Sequence, residues 1–195
     1  MALNLITAPT VEPITLQETK DHLRVDHSDD DSLISPLITA ARMHFDGRDG
    51  ILGRCLITQT WDYTINRFPV DDCIRLPLAP VASITSITYT DSAGASQTFD
   101  SGSYSLNSDL DWLPRIDLGY EKTWSDTRDI PDAVTIRFVA GYGFPADVPD
   151  PIKQAMLLLI GHWYENREEV VLGVTPAIVP QAAKALIAPY RRGWI

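Results

Sequence analysis

Apolar residues recur along this chain with two different periods, and the change of period divides it. Helical spacing is clearest late, where Ile152, Ala155, Met156, Leu159, Ile160, Trp163 and Tyr164 follow an i, i+3, i+4, i+7 rule. Asp150 at the N-cap and Pro151 just inside predict the start of that helix. Leu157 and Leu158 widen the apolar stripe, so the helix is expected to touch neighbours on more than one side. Its far end turns polar at Glu165-Asn166-Arg167-Glu168-Glu169.

Two helices are predicted before it. Thr15-Leu16-Gln17-Glu18 reads as a capping box opening a short helix to about Leu23, with Leu16, Thr19, Lys20 and Leu23 at helical spacing. A second, from about Ser32 to Arg48, places Ile34, Leu37, Ile38, Ala41 and Phe45 on one face. Pro36 falls in its first turn, where proline is tolerated. Gly47, Gly50 and Gly53 then end the helix and turn the chain. Ahead of both, Ala8 to Pro13 reads as an extended lead-in. Pro180 opens a final short helix to Ile187, which Pro189 stops or bends.

From Leu56 to Asn66 the period becomes two. Ile57, Gln59, Trp61, Tyr63 and Ile65 face one way, which predicts a half-buried strand. Further strands are expected around Ile74–Leu76, Ala82–Thr90, Ser96–Phe99, Tyr104–Leu106, Arg115–Leu118 and Ala133–Ala140, with a hairpin turn at Asp91–Gly94. The fold class is therefore α+β: a helical bundle formed by N- and C-terminal helices, with an inserted antiparallel β-rich domain. The expected boundaries are 1–54, 55–147 and 148–195, the first and last packing as one helical domain.

Composition narrows the function. A chain of 195 residues, 45% hydrophobic and 22% charged, fits one domain or a domain with a sizeable insertion. No apolar run reaches the roughly 18 residues that span a bilayer, and Met1-Ala2-Leu3-Asn4 lacks the pattern of a signal peptide. A soluble, intracellular product with no membrane partner is expected. A net charge of −10 argues against wrapping duplex DNA, yet suits an acidic lumen past which DNA slides. Cys55 and Cys73 lack metal or disulfide spacing and read as inert thiols.

Candidate chemistry is sparse. Asp26 to Ser32 resembles a calcium loop in its acidity, but has no Gly at the sixth place or Glu at the twelfth. Asp29 to Ser32 are instead expected to cap the second helix at the positive end of its dipole. His162, Glu165 and Glu169 could meet on a helix, but no second histidine completes a metal set. His22, His27 and His44 are scattered, Asp109 and Asp111 read as solvated loop residues, and no nucleophile motif surrounds a serine. Gly141-Tyr142-Gly143 reads as a strand-end turn. No catalytic residue, cofactor or metal site is expected.

Four segments in order resemble the head–tail connector (adaptor) family of long-tailed phages and gene transfer agents. They are Ile14–Glu18 with His22–Asp26, Leu33-Ile34 through Ala40-Ala41-Arg42, Leu56–Trp61, and Gly161–Glu168. Leu76-Pro77 before Pro80-Val81 and the closing Pro189-Tyr190-Arg191 also fit. The long β-rich middle is similar to one subgroup rather than to the minimal helical members.

The resemblance implies a structural protein of the virion neck, assembled in the host cytoplasm. It implies a homo-oligomeric ring, usually of twelve subunits, docked beneath the portal protein and joined to the stopper or tail terminator protein. DNA would pass through the lumen without sequence-specific binding. Helices would pack around the channel, with Leu158, His162, Tyr164, Glu165 and Arg167 at the subunit interface. A C-terminal segment, about Pro180 to Ile195, would engage the portal through Leu186, Ile187, Tyr190, Arg191, Arg192, Trp194 and Ile195. A chain ending at Val179 is then expected to keep its fold and lose portal binding. Two alternatives from the same residues are a tail-completion protein further down the neck and a carbohydrate-binding β-domain using Trp112, Tyr120 and Trp124. A hydrolase would need convergent carboxylates or a metal.

Overall fold

A computed structural model describes residues 1–108, 113–167 and 180–191. They form two compact units: a helical unit from Thr10–Ile57 together with Gly143 onward, and a sheet unit from Met1–Pro9 and Thr58–Tyr142.

In the helical unit, α1 (Leu16–Leu23) opens with the predicted capping box. The Glu18 amide donates to Thr15 Oγ1 at 3.1 Å and the Thr15 amide donates to Glu18 Oε2 at 2.6 Å. That backbone bond holds the Glu18 carboxyl below its usual range. α2 (Asp31–Phe45) buries Ile34, Ile38, Ala41 and Phe45, the expected face. It ends three residues earlier than expected, because Asp46 is extended and Gly47 takes φ 74°. The Gly47 amide bonds the Arg54 carbonyl at 2.7 Å, closing the turn.

α3 (Asp150–Glu165) starts one position off expectation: Pro149 is the N-cap, and Asp150 stands in the first turn. Its buried residues are Ile152, Ala155, Met156, Leu159 and Ile160. It packs against α1, α2 and α4 (Gln181–Ile187), as its wide apolar stripe requires. Gly161 faces α1, where an added Cβ would sit 3.6 Å from His22 and 3.8 Å from Leu23. α4 adds Ala183 and Ile187 to the core.

The sheet unit is antiparallel throughout. One sheet has the order β1-β2-β8-β4-β5, from Ala2–Thr7, Gln59–Ile65, Val134–Ala140, Val81–Thr90 and Ser96–Thr98. The other has the order β3-β7-β6, from Cys73–Arg75, Arg115–Leu118 and Tyr104–Asn107. β8 alternates strictly, burying Val134, Ile136, Phe138 and Ala140. Opposite it on β2, Asp62 faces Arg137, and the pair makes two hydrogen bonds of 2.7 and 2.8 Å.

Two boundaries differ from those the pattern predicted. The first residues are a strand, β1, paired with β2 from Ala2 opposite Thr64 to Leu5 opposite Trp61. They belong to the sheet unit rather than to a 1–54 helical part. At a sheet edge β1 has, among the described residues, a partner on one side only, so its apolar residues need not alternate. The strand expected from Leu56 begins at Gln59; Leu56 and Ile57 are buried residues of the helical unit.

Candidate functional site

The residues expected at a subunit interface divide into two sets. Leu158, His162 and Glu165 lie at i, i+4 and i+7 along one side of α3, half-buried except for the exposed Glu165. Tyr164 and Arg167 are engaged within their own unit. The Tyr164 hydroxyl donates a short hydrogen bond to Asp30 Oδ2, and Arg167 lies 3.7 Å from the same oxygen. The Arg167 guanidinium also sits 4.9 Å from the Tyr164 ring centroid, a cation–π contact. Bonding to Asp30 raises the Tyr164 pKa above its ordinary value. The cluster ties the C-terminal end of α3 to the connection between α1 and α2.

That pairing corrects the expectation for the acidic loop. Asp30 occupies the N-cap position of α2, but its side chain makes no capping bond. The carboxylate serves Tyr164 instead, and Asp31 pairs with the largely buried Lys20 at 2.7 Å. A charge as buried as Lys20 needs such a partner.

The C-terminal set is also divided. Ile187 is 1% exposed, a core position with no surface left for a partner, which removes it from the expected portal-facing set. Leu186 and Tyr190 are half-buried and Arg191 is exposed. Arg192, Trp194 and Ile195 lie outside the described residues. Arg54, itself 3% exposed, donates from Nε to the Tyr190 carbonyl at 2.8 Å. Tyr190, just after α4, is thereby anchored to the turn after α2. Ending the chain at Val179 would remove α4 and its two core residues, so such a truncation would cost stability as well as any portal contact.

Neither Arg54 nor Glu12 was singled out by sequence. Glu12 accepts from Thr39 at 2.9 Å and from Arg42 Nε at 2.8 Å, and Arg42 reaches Asp46 at 3.4 Å. The Leu56 amide bonds Asp46 Oδ1 at 2.7 Å. The Glu12 ties join residues 27 and 30 positions apart, which neither periodicity nor a motif signals.

Elsewhere the candidate chemistry has structural roles. His44 stands edge-on to Phe45 and Trp163, with centroids 5.3 and 6.4 Å away. Its Nε2 is buried without a hydrogen-bond partner, and burial lowers its pKa. Among the described residues, no three metal-ligating side chains converge. Trp124 stacks on Phe68 at 4.9 Å and 7°, and its indole N–H donates to the Asp71 carbonyl at 3.0 Å. A ring held this way anchors its loop and does not offer that face to a sugar. Tyr120 is 91% exposed, and Trp112, Asp109 and Asp111 lie outside the described residues.

A family profile described as "Phage gp6-like head-tail connector protein" matches residues 13–111. No curated protein sequence matches. Among solved structures, the chain is similar to one described as "Virion of native gene transfer agent (GTA) particle", at 27% identity and a TM-score of 0.79, covering 100% of this chain and 97% of that one. With the same coverage, a chain from "Neck of empty GTA particle computed with C6 symmetry" is 26% identical with a TM-score of 0.78. A third, from "Neck of native GTA particle computed with C12 symmetry", is 25% identical with a TM-score of 0.72 and again the same coverage.

Proposed function

The chain belongs to the phage gp6-like head–tail connector family, and we propose that it forms the adaptor ring between portal and tail in the neck of a phage or gene transfer agent particle. Membership makes it a structural component rather than a catalyst. The observation that carries the finer reading is a likeness running the full length of chains from gene transfer agent particles, two of them from structures described as necks. The twelvefold symmetry of one of these structures supports a ring of twelve copies. In such a ring, identical subunits meet through two different patches, and the rotation closes the circle.

The partly exposed side of α3 carrying Leu158, His162 and Glu165 is our choice for the contact between neighbouring subunits. Tyr164 and Arg167 support that face from within, through Asp30. The portal contact is assigned to Leu186, Tyr190 and Arg191 with Arg192, Trp194 and Ile195; the stopper or tail terminator takes the opposite side. We read the β-rich stretch as an insertion in a helical domain. The acidic balance of −10 suits a channel that DNA traverses without being held.

Particles produced without this chain test the reading. The expected result is filled or emptied heads and separate tails, with few joined particles. Tailed particles in normal yield would overturn it.

A further inference from the structure

The sheet unit contains a cleft of about 540 Å³ lined by the end of β2, the segment after it, and β3. Its floor is apolar: Ile65, Phe68 and Ile74 are all at most 7% exposed. Val70 stands fully exposed at its side. Arg67 and Arg75 are exposed on its lining, and neither has an ion-pair partner among the described residues. Among the described residues Asp71 is the only acidic residue on the lining, against two arginines, on a chain of net charge −10.

β3 is also a sheet edge. Among the described residues, the strand order β3-β7-β6 leaves one of its sides without a neighbour. Its register with β7 opposes Ile74 to Ile116. The Leu118 amide bonds the Asp72 carbonyl and the Leu76 amide bonds the Pro114 carbonyl. Residues 72, 74 and 76 therefore turn their backbone groups toward β7, and the alternation of an antiparallel ladder turns those of Cys73 and Arg75 outward. An apolar floor, two unpaired guanidiniums and an open edge make up the recognition elements of strand addition.

We propose that this cleft receives an extended peptide segment of a partner protein, with carboxylates on either side of an apolar residue. The apolar side chain covers Ile74 and Val70, the carboxylates meet Arg67 and Arg75, and the backbone pairs with Cys73 and Arg75. The proposal rests on the connector reading only in taking a protein as the neighbour.

Cys73 is a built-in reporter, since it lines the cleft and is half-exposed while Cys55 is fully buried. The full chain would be alkylated with iodoacetamide in the presence of the peptide Ac-Thr-Glu-Val-Glu-Thr-NH2 or its twin with Lys for both Glu residues. With the acidic peptide at about ten times its dissociation constant, the Cys73 rate should fall roughly tenfold. The lysine peptide should leave it unchanged. The doubly substituted Arg67→Glu, Arg75→Glu chain should reverse the preference, and its folding is checked by circular dichroism. As a second readout, the acidic peptide should move the Cys73 and Arg75 amide resonances. Equal effects of both peptides, or none, would overturn the proposal while leaving the neck assignment standing. Protection that grows with protein concentration alone would also overturn it, giving the cleft to a second copy.

Discussion

The helical unit closes over an interruption of more than eighty residues, whereas the sheet unit is built almost wholly from one continuous stretch with a single N-terminal strand added. Their polar ties differ accordingly. In the helical unit they join the chain's two ends: Asp30 to Tyr164 and Arg54 to Tyr190, separated by 134 and 136 positions. In the sheet the main ion pair, Asp62 with Arg137, simply joins residues already opposed in the ladder. The lesson is that a domain carrying an insertion needs specific long-range ties where its halves meet. An antiparallel sheet obtains its register from pairing and alternation.

Core truncations should break the comparison hardest. Phe138→Ala in the sheet unit should cost about 3–5 kcal/mol, and Met156→Ala in the helical unit about 2–5 kcal/mol. Both side chains are fully buried. Calorimetry should find the first loss in the transition of the sheet unit and the second in that of the helical unit. An identical shift of one shared transition would mean that the two units unfold together.

Ending the chain at Val179 comes next. Loss of Ile187 and Ala183 from the core should lower stability by about 2–4 kcal/mol, by analogy with large-to-small truncation. Ending it at Arg191 should leave the urea midpoint unchanged. Equal midpoints for both would mean that α4 contributes nothing to the helical core.

Asp30→Ala should have a smaller effect, confined to the helical unit. It leaves the Tyr164 hydroxyl and Arg167 without their shared acceptor. Removing that partner should return the Tyr164 titration, followed by ultraviolet difference absorbance, toward its ordinary value of 10.0. An unmoved titration would mean that the bond to Asp30 is not what raises it.

The smallest effect concerns pH. His44 has a lowered folded pKa, so the unfolded chain binds its proton first as pH falls. Stability is therefore intact above the ordinary value of 6.5 and declines below it, levelling off once the folded form is also protonated. His44→Gln should flatten that part of the stability profile. A profile unchanged by the substitution would assign the decline to other groups.

The legible parts of the fold were those governed by one period. The faces of α2 and α3, the capping box at Thr15 and the alternation of β8 follow from spacing alone. β1 escapes the pattern because an edge strand need not alternate, and the predicted strand starts too early at Leu56 because the period-two spacing begins before the ladder does. The site was less legible. Ile187 and Trp124 carry apolar or aromatic surface of the kind a partner would use, yet each is held by its own unit. Asp30 fitted a cap by position, and only the approach of α3 reveals its partner.

The most direct test of the adaptor claim is co-sedimentation with the cognate portal ring, comparing the full chain with one ending at Arg191. The cut spares α4 and the Arg54 tie, and circular dichroism checks that the shortened chain is folded. The account predicts that the full chain pellets with the portal and that the shortened chain does so at least about tenfold more weakly, a difference of 1.4 kcal/mol. Failure of the full chain, folded by circular dichroism, to bind the portal at all would contradict the account.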